Sequence, residues 1–274
     1  MLTRPIPSSG EALPVIGLGT WQTFDVGRDA AARGPLQDVL RTLHEGGGRV
    51  IDSSPMYRSS ESVVGELCAE LGLRSELFLA TKVWTQGRAD GVAQMERSIE
   101  RLRAGRLDLM QVHNLVDVDT HTKTLLEWKA AGRIRYCGIT HYAESGHAAV
   151  ERWLQTGRYD FVQINYSIDE PQAADRLLPL ARQLGVAVLV NRPFATGEMF
   201  SRVRGKALPP WAAELGITSW AQYFLKWILA HPAVTCVIPA TNKPAHMADN
   251  VAAGRGPMPD EAQRRRMSQF YDAL

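Results

Sequence analysis

Short apolar runs alternate with longer amphipathic segments along the whole chain. Eight runs rich in β-branched and aliphatic residues are apolar on both faces, which is typical of buried parallel strands. They span residues 15–20, 49–54, 77–83, 107–114, 136–141, 161–167, 186–193 and 234–240. The segments between them repeat apolar residues every three or four positions, which predicts helices with one buried face. These helices cover residues 36–48, 61–72, 91–102, 120–131, 144–156, 171–184, 218–230, 244–253 and 260–272.

This alternation predicts an α/β fold, a (β/α)8 TIM barrel. Eight parallel strands joined by helical crossovers are most simply satisfied by a closed barrel, because closure leaves no edge strand to protect. A doubly wound open sheet is the alternative, but it has no reason to stop at eight strands. We expect a single domain over 1–274, with a short hairpin in 1–14 across the barrel bottom and an extra C-terminal helix. Residues 195–217, rich in Gly and Pro, predict a long loop after the seventh strand.

Composition and charge narrow the class of protein. With 45% hydrophobic and 22% charged residues and a net charge of +2, the chain is globular and gives no indication of a nucleic-acid partner. No apolar run approaches the roughly 20 residues of a membrane span. Cys68, Cys137 and Cys236 lie in separate apolar stretches, which favours buried thiols in a reducing compartment. We expect a monomer in the cytoplasm, without a metal, although a removed leader would leave no trace and export stays open.

Four titratable side chains fall where barrel enzymes carry their chemistry, at the carboxyl ends of strands. Asp52 ends the second predicted strand and Tyr57 follows it by five residues. Lys82 ends the third strand and His113 the fourth. Any one of them alone could be a structural hydrogen-bonding group. Their joint position on one rim indicates an active site.

The chemistry of these four groups suits the protonation of an oxygen while hydride reaches its carbon. A buried Lys82 needs a partner, and Asp52 on the neighbouring strand is available. A charged Lys82 beside Tyr57 would lower the pKa of the phenol from about 10 toward neutrality and make it a general acid. His113 could hydrogen-bond a substrate carbonyl oxygen. Trp21 and Trp84, with Tyr57 and His113, would wall a substrate pocket.

These residues stand in segments that resemble the catalytic tetrad of the aldo-keto reductase family. The segments are VIDSSPMY, LATKVW and LMQVHN, and GLGTWQ, QINYS and IPATNKPAHMADN resemble further family segments in the same order. The resemblance covers essentially the whole chain. It implies a (β/α)8 barrel that binds NADPH across its carboxyl rim and reduces aldehydes or ketones, with Tyr57 as acid. Asp52 and Lys82 would tune Tyr57, and His113 would orient the small-molecule carbonyl substrate.

The resemblance also implies a set of cofactor contacts. Gln163 would hold the nicotinamide amide, Asp249 and Asn250 would contact the adenine, and Lys243 and His246 would lie near the 2′-phosphate. The full expected set is Gly19, Thr20, Trp21, Asp52, Thr140, His141, Gln163, Asn191, Arg192, Pro193, Phe194, Ile238, Pro239, Ala240, Thr241, Lys243, His246, Asp249 and Asn250.

The sequence departs from the family pattern at the nicotinamide end. Thr140-His141 replaces a usual Ser-Asn pair, and both side chains can still hydrogen-bond the carboxamide. Asn191-Arg192-Pro193 replaces Tyr-Ser-Pro, so a stacking ring is lost unless Phe194 takes its place.

Two further departures concern the phosphates. Arg192 could clamp the pyrophosphate, since its planar fork suits phosphate oxygens. Ala240 stands where the family often has Lys, so NADH is possible beside NADPH.

Two other functions remain open at this point. One is an aldolase-type barrel with Lys82 as Schiff-base nucleophile, which requires a neutral lysine that Asp52 disfavours. The other is a barrel that binds a nicotinamide nucleotide as a sensor or regulatory subunit with little turnover. The altered cofactor contacts at Thr140, His141 and Asn191 keep that reading open.

Overall fold

The computed structural model describes all 274 residues and contains a barrel of eight parallel strands. A two-stranded antiparallel hairpin precedes the barrel, formed by β1 (Thr3–Pro5) and β2 (Ala12–Pro14). The barrel strands are β3 (Leu18–Gly19), β4 (Val50–Asp52), β5 (Phe78–Val83), β6 (Leu107–Val112), β7 (Ile134–Thr140), β8 (Phe161–Asn165), β9 (Ala187–Asn191) and β10 (Val234–Val237). Each pairs in parallel with the next strand in sequence.

The first and last barrel strands close the sheet. Parallel bridges join Ile16 to Val237 and Gly19 to Ala240. Gly19 permits this close approach, because a Cβ there would lie 2.8 Å from the Ile238 carbonyl oxygen. The predicted (β/α)8 barrel is therefore confirmed, and the open sheet is excluded.

Helices separate the strands as predicted. They are α1 (Ala30–Glu45), α2 (Ser60–Glu70), α3 (Arg88–Arg101), α4 (Val118–Ala130), α5 (His147–Leu154), α6 (Leu177–Leu184), α7 (Glu198–Arg202), α8 (Trp220–Leu229), α9 (Pro244–Ala253) and α10 (Glu261–Asp272). Helix α10 is the expected extra C-terminal helix. The predicted loop 195–217 is wrong in part, since it contains α7 and two 3-10 helices, at 195–197 and 210–215.

Helix α1 begins six residues before its predicted start. Its first turn is rich in alanine and carries no apolar periodicity, so the pattern of large apolar residues misses it. The Asp29 side chain starts the helix by accepting hydrogen bonds from the amides of Ala31 and Ala32, which otherwise lack partners within the helix.

The hairpin covers the amino-terminal end of the barrel, as expected. Its Ile6 and Leu13 are buried in a cluster with barrel residues such as Phe78 and Leu109. Glu11 adds an ion pair with Arg135 on β7. The carboxyl end of the barrel is left as the end open to ligands.

The main hydrophobic core lies between the barrel and the surrounding helices. The predicted burial of the three cysteines is confirmed, and all three are free thiols. None of the helices is long and apolar enough to span a lipid bilayer.

Candidate active site

A cavity of about 1020 Å³ opens at the carboxyl end of the barrel. Most of the residues that the sequence predicts for the site line it. They are Gly19, Thr20, Trp21, Asp52, Tyr57, Trp84, His113, Thr140, Gln163, Asn191, Arg192, Pro193, Phe194, Ile238, Ala240, Thr241, His246, Asp249 and Asn250. One cavity thus brings together the predicted catalytic, substrate and cofactor residues.

Backbone strain concentrates at this end of the barrel. Nine residues other than glycine have positive φ, and eight of them lie in the loops that follow β3, β4, β6 and β9. Gln22 (φ 61°), Asn114 (φ 51°) and Arg192 (φ 49°) also line the cavity. Such conformations persist only where the surrounding structure holds them, and they cluster at functional sites.

Lys82 and Asp52 form a fully buried ion pair beneath the cavity. The Lys82 ammonium donates to Asp52 Oδ2 at 2.5 Å and to the Ser53 carbonyl oxygen at 2.7 Å. The other carboxylate oxygen, Oδ1, accepts from the side-chain amides of Gln111 at 3.1 Å and Gln163 at 2.8 Å. Partners on both sides offset the cost of burying two charges.

The charge state of Lys82 follows from these contacts. Burial alone would lower the pKa of the ammonium, but the Asp52 carboxylate and the Tyr57 hydroxyl oppose burial, and the pKa is raised from its usual value. Lys82 is therefore a cation at neutral pH.

Tyr57 is placed above this cation by a short 3-10 helix, Pro55–Tyr57. The Ser54 hydroxyl accepts from the Met56 amide and so starts the helix, and Pro55 fixes its first turn. The Lys82 ammonium lies 5.1 Å from the centroid of the Tyr57 ring. The predicted approach of the cation to the phenol is confirmed.

The predicted fall in the Tyr57 pKa is wrong in sign. Burial raises the pKa of the phenol, and this effect exceeds the lowering by Lys82, while Asp52 raises the pKa further. The sequence could not show how deeply the ring is buried. Tyr57 consequently keeps its proton at neutral pH, with the Lys82 ammonium beside its ring.

His113 lies beside Tyr57 with its ring edge-on, at a centroid distance of 5.9 Å. Its Nδ1 is 3.0 Å from the Ser54 hydroxyl. Burial, with smaller contributions from Lys82 and His141, lowers the pKa of His113 to about 2. The ring is neutral near pH 7, so it can hydrogen-bond a ligand but does not carry a proton to give away as an acid.

At the opposite side of the cavity, polar groups from β8 and β9 meet. The Asn191 amide donates to the His141 carbonyl oxygen and to Gln163 Oε1, both at 3.4 Å. Arg192 pairs with Glu170 at 3.2 Å and lies 6.0 Å from the Tyr142 ring centroid. A cation is thus held at the rim.

Three of the expected cofactor residues, His141, Pro239 and Lys243, do not line the cavity. The His141 ring packs against Gly146, where an added Cβ would lie 2.2 Å from the imidazole, and its Nδ1 contacts the Ala143 backbone. The expected hydrogen bond from His141 to the carboxamide is therefore not supported.

Asp249 does line the cavity, but its carboxylate already has partners. Two side chains each donate to it at 2.6 Å: Ser219, which caps the start of α8, and Gln222 within α8. Asp249 therefore ties α9 to α8 as well as facing the cavity.

Several cavity residues were not predicted from the sequence. Tyr142, with 51% of its surface exposed, and Phe200 and Trp220 add aromatic walls. Gln111, which does not line the cavity but donates to Asp52, was also not predicted. It could have been found, because it stands two positions before His113 and so points to the same face of the strand. Trp21 and Trp84 are 41% and 43% exposed, as expected of pocket walls.

Comparison with known proteins agrees with this geometry. The methylglyoxal reductase YeaE of Escherichia coli strain K12 is 30% identical over 264 residues, covering 92% of this chain and 89% of that protein. A crystal structure of an aldo-keto reductase from Klebsiella pneumoniae in complex with NADPH is 27% identical, with a TM-score of 0.80 and coverage of 99% of this chain and 96% of that one.

A second Klebsiella pneumoniae structure, an aldo/keto reductase in complex with NADP and acetate, is 26% identical over 96% of this chain and 93% of that one, with a TM-score of 0.77. The model of the aldo/keto reductase family matches residues 15–268. The chain belongs to the aldo/keto reductase family.

Proposed function

We propose that this protein reduces aldehydes or ketones to alcohols with NADPH, and that Tyr57 is the general acid. The observation that carries the proposal is the position of the Tyr57 phenol in the cavity, with the Lys82 ammonium 5.1 Å and the His113 ring 5.9 Å from its ring centroid. A phenol so placed can give a proton to an oxygen and have the resulting charge stabilised by Lys82. The protein is on this basis an NADP-dependent oxidoreductase.

The cavity fits a nicotinamide nucleotide in an extended form. It runs without interruption from Tyr57 and His113 to His246 and Asn250 on α9. Arg192 lines the same cavity, and we propose that its guanidinium binds the pyrophosphate, whose oxygens suit the planar fork. When bound, the nucleotide supplies the hydride that the carbonyl carbon receives.

Fewer side chains are available to bind the adenosine end of the nucleotide. Thr241, His246 and Asn250 line the cavity there, whereas Lys243 does not. Thr241 and His246 would hydrogen-bond the 2′-phosphate, and we propose a preference for NADPH over NADH that rests on these two side chains rather than on a lysine.

The residues of this chain then divide the remaining work. His113 donates a hydrogen bond to the carbonyl oxygen and fixes its position. Tyr57 transfers its hydroxyl proton to that oxygen as the carbon is reduced, so the carbonyl becomes an alcohol and Tyr57 a phenolate. Lys82, held by Asp52, stabilises the phenolate until solvent returns the proton.

The substrate side of the cavity favours uncharged carbonyl compounds. Trp21, Met56 and Trp84 are exposed there, and the neighbouring polar residues Gln22 and Asn114 carry no charge. An aromatic or other apolar aldehyde would bury its surface against the two indole rings.

The aldolase-type alternative fits the structure less well. A Schiff-base lysine must lose its proton, whereas the Lys82 pKa is raised and all its hydrogen-bonding capacity is directed at Asp52, Ser53 and Tyr57. Lys82 also does not line the cavity, so a substrate carbonyl does not reach it.

The test is an assay of NADPH oxidation with 4-nitrobenzaldehyde and with methylglyoxal, together with fluorescence titration by NADPH and NADH. We expect saturable oxidation of NADPH, one alcohol formed per NADPH consumed, and tighter binding of NADPH than of NADH. Tight NADPH binding without oxidation in the presence of either aldehyde would contradict a reductase and favour a nucleotide sensor.

A further inference from the structure

We propose that Ser54 is a positioning residue that holds His113 in the tautomer with its proton on Nε2. The inference rests on the proposed function, because it concerns how His113 presents a donor to the substrate carbonyl. Ser54 is fully buried, its hydroxyl contacts the His113 ring, and it precedes Tyr57 by three residues in the chain.

The Ser54 hydroxyl has two partners, and these determine the direction of its hydrogen bonds. It accepts from the Met56 backbone amide at 3.2 Å, and it lies 3.0 Å from His113 Nδ1. A hydroxyl carries one proton, and Nδ1 is the one acceptor in reach. If Nδ1 carried a proton instead, the buried hydroxyl proton of Ser54 would have no acceptor, which is unfavourable. Ser54 therefore donates to Nδ1.

The proton of the neutral His113 ring then lies on Nε2. Burial lowers the pKa of His113 to about 2, so the ring carries a single proton near neutral pH. Nε2 has no hydrogen-bond partner within the chain, and His113 lines the cavity. A carbonyl oxygen needs a donor at this atom. The opposite tautomer would present a lone pair and repel the oxygen.

The same hydroxyl also sets the position of Tyr57. By accepting the Met56 amide it starts the 3-10 helix that ends at Tyr57. The Ser54 hydroxyl oxygen thus links Tyr57, the proposed proton donor, to His113, the proposed carbonyl-binding ring. The centroids of these two rings are 5.9 Å apart. Removal of the hydroxyl should change the His113 tautomer more than the position of Tyr57, because Pro55 still fixes the first turn of the 3-10 helix.

The experiment compares Ser54→Ala and Ser54→Thr with the wild-type protein. The readouts are ¹⁵N NMR of the His113 ring nitrogens, assigned with a His113→Gln sample, kcat/KM for aldehyde reduction, and the NADPH dissociation constant. The matched control is Ser60→Ala, which also removes a fully buried serine hydroxyl. Unlike Ser54, Ser60 has no hydrogen-bond partner, and it lies outside the cavity.

We expect wild-type His113 to carry its proton on Nε2 and Ser54→Ala to show both tautomers. We expect kcat/KM to fall about tenfold in Ser54→Ala with NADPH affinity unchanged, from the loss of one buried hydrogen bond and of the single tautomer. Ser54→Thr, which keeps a hydroxyl, should restore the Nε2 proton and most of the activity. Ser60→Ala should match the wild type.

Two results would overturn the proposal. One is a wild-type ring protonated on Nδ1. The other is a Ser54→Ala protein whose ring stays on Nε2, whatever its activity, since Ser54 would then act on the fold alone. Because the tautomer is read by NMR without turnover, these results are distinguishable from failure of the reductase assignment.

Discussion

Replacing Tyr57 by phenylalanine should lower the rate of aldehyde reduction by about 10²–10⁴-fold, the range that a general acid contributes. Phenylalanine keeps the ring in the cavity but has no proton to give. No other group nearby can replace it, because the His113 pKa is lowered to about 2 and the Lys82 ammonium is committed to Asp52 and Ser53. The measurement is kcat for NADPH oxidation, with NADPH affinity from fluorescence titration expected to change little.

Tyr142→Phe is the matched control for this variant. It removes a phenol hydroxyl from the same cavity, at a residue that makes no contact with Lys82. We expect its kcat to stay within a few fold of the wild type. Turnover in Tyr57→Phe equal to that of Tyr142→Phe would remove Tyr57 from the mechanism.

The second large effect is on stability. Lys82→Met should lower the free energy of unfolding by about 3–5 kcal/mol, because it leaves the buried Asp52 carboxylate without its cation. Gln111 and Gln163 would still donate to Asp52, but neutral amides do not replace the charge. Denaturant unfolding followed by circular dichroism gives the difference directly.

A double-mutant cycle separates the lost charge from the lost packing. Asp52→Asn with Lys82→Met removes both charges, and we expect the double variant to be more stable than Lys82→Met alone. If the two single effects simply add, the ion pair does not couple the residues, and the view that Asp52 holds Lys82 in place is wrong.

The barrel could be predicted from sequence because its strands are buried on both faces and its helices on one. These two patterns have different periods, and their eightfold alternation leaves few topologies. The pattern missed the start of one helix and the whole of another. Helix α1 starts at a cap on Asp29, and α7 lies in a segment whose Gly and Pro content predicted a loop.

The position of the candidate catalytic residues was likewise predictable, since the carboxyl ends of neighbouring strands meet at one rim. Their electrostatics were not. The sign of the Tyr57 pKa shift depends on a competition between burial and Lys82, and only the depth of the ring decides it. The turn of His141 toward Gly146 depends on the packing of a loop, which residue types alone do not reveal.

The identity of the proton donor is tested most directly by the pH dependence of kcat/KM for aldehyde reduction at saturating NADPH. The Tyr57 pKa is raised above its usual value of about 10, so the phenol is in its active, protonated form throughout the neutral range and loses its proton only at higher pH. We predict a constant rate from about pH 6.5 to about pH 9. A fall in rate centred near pH 6.5–7, the range of an ordinary histidine, would contradict Tyr57 as the acid.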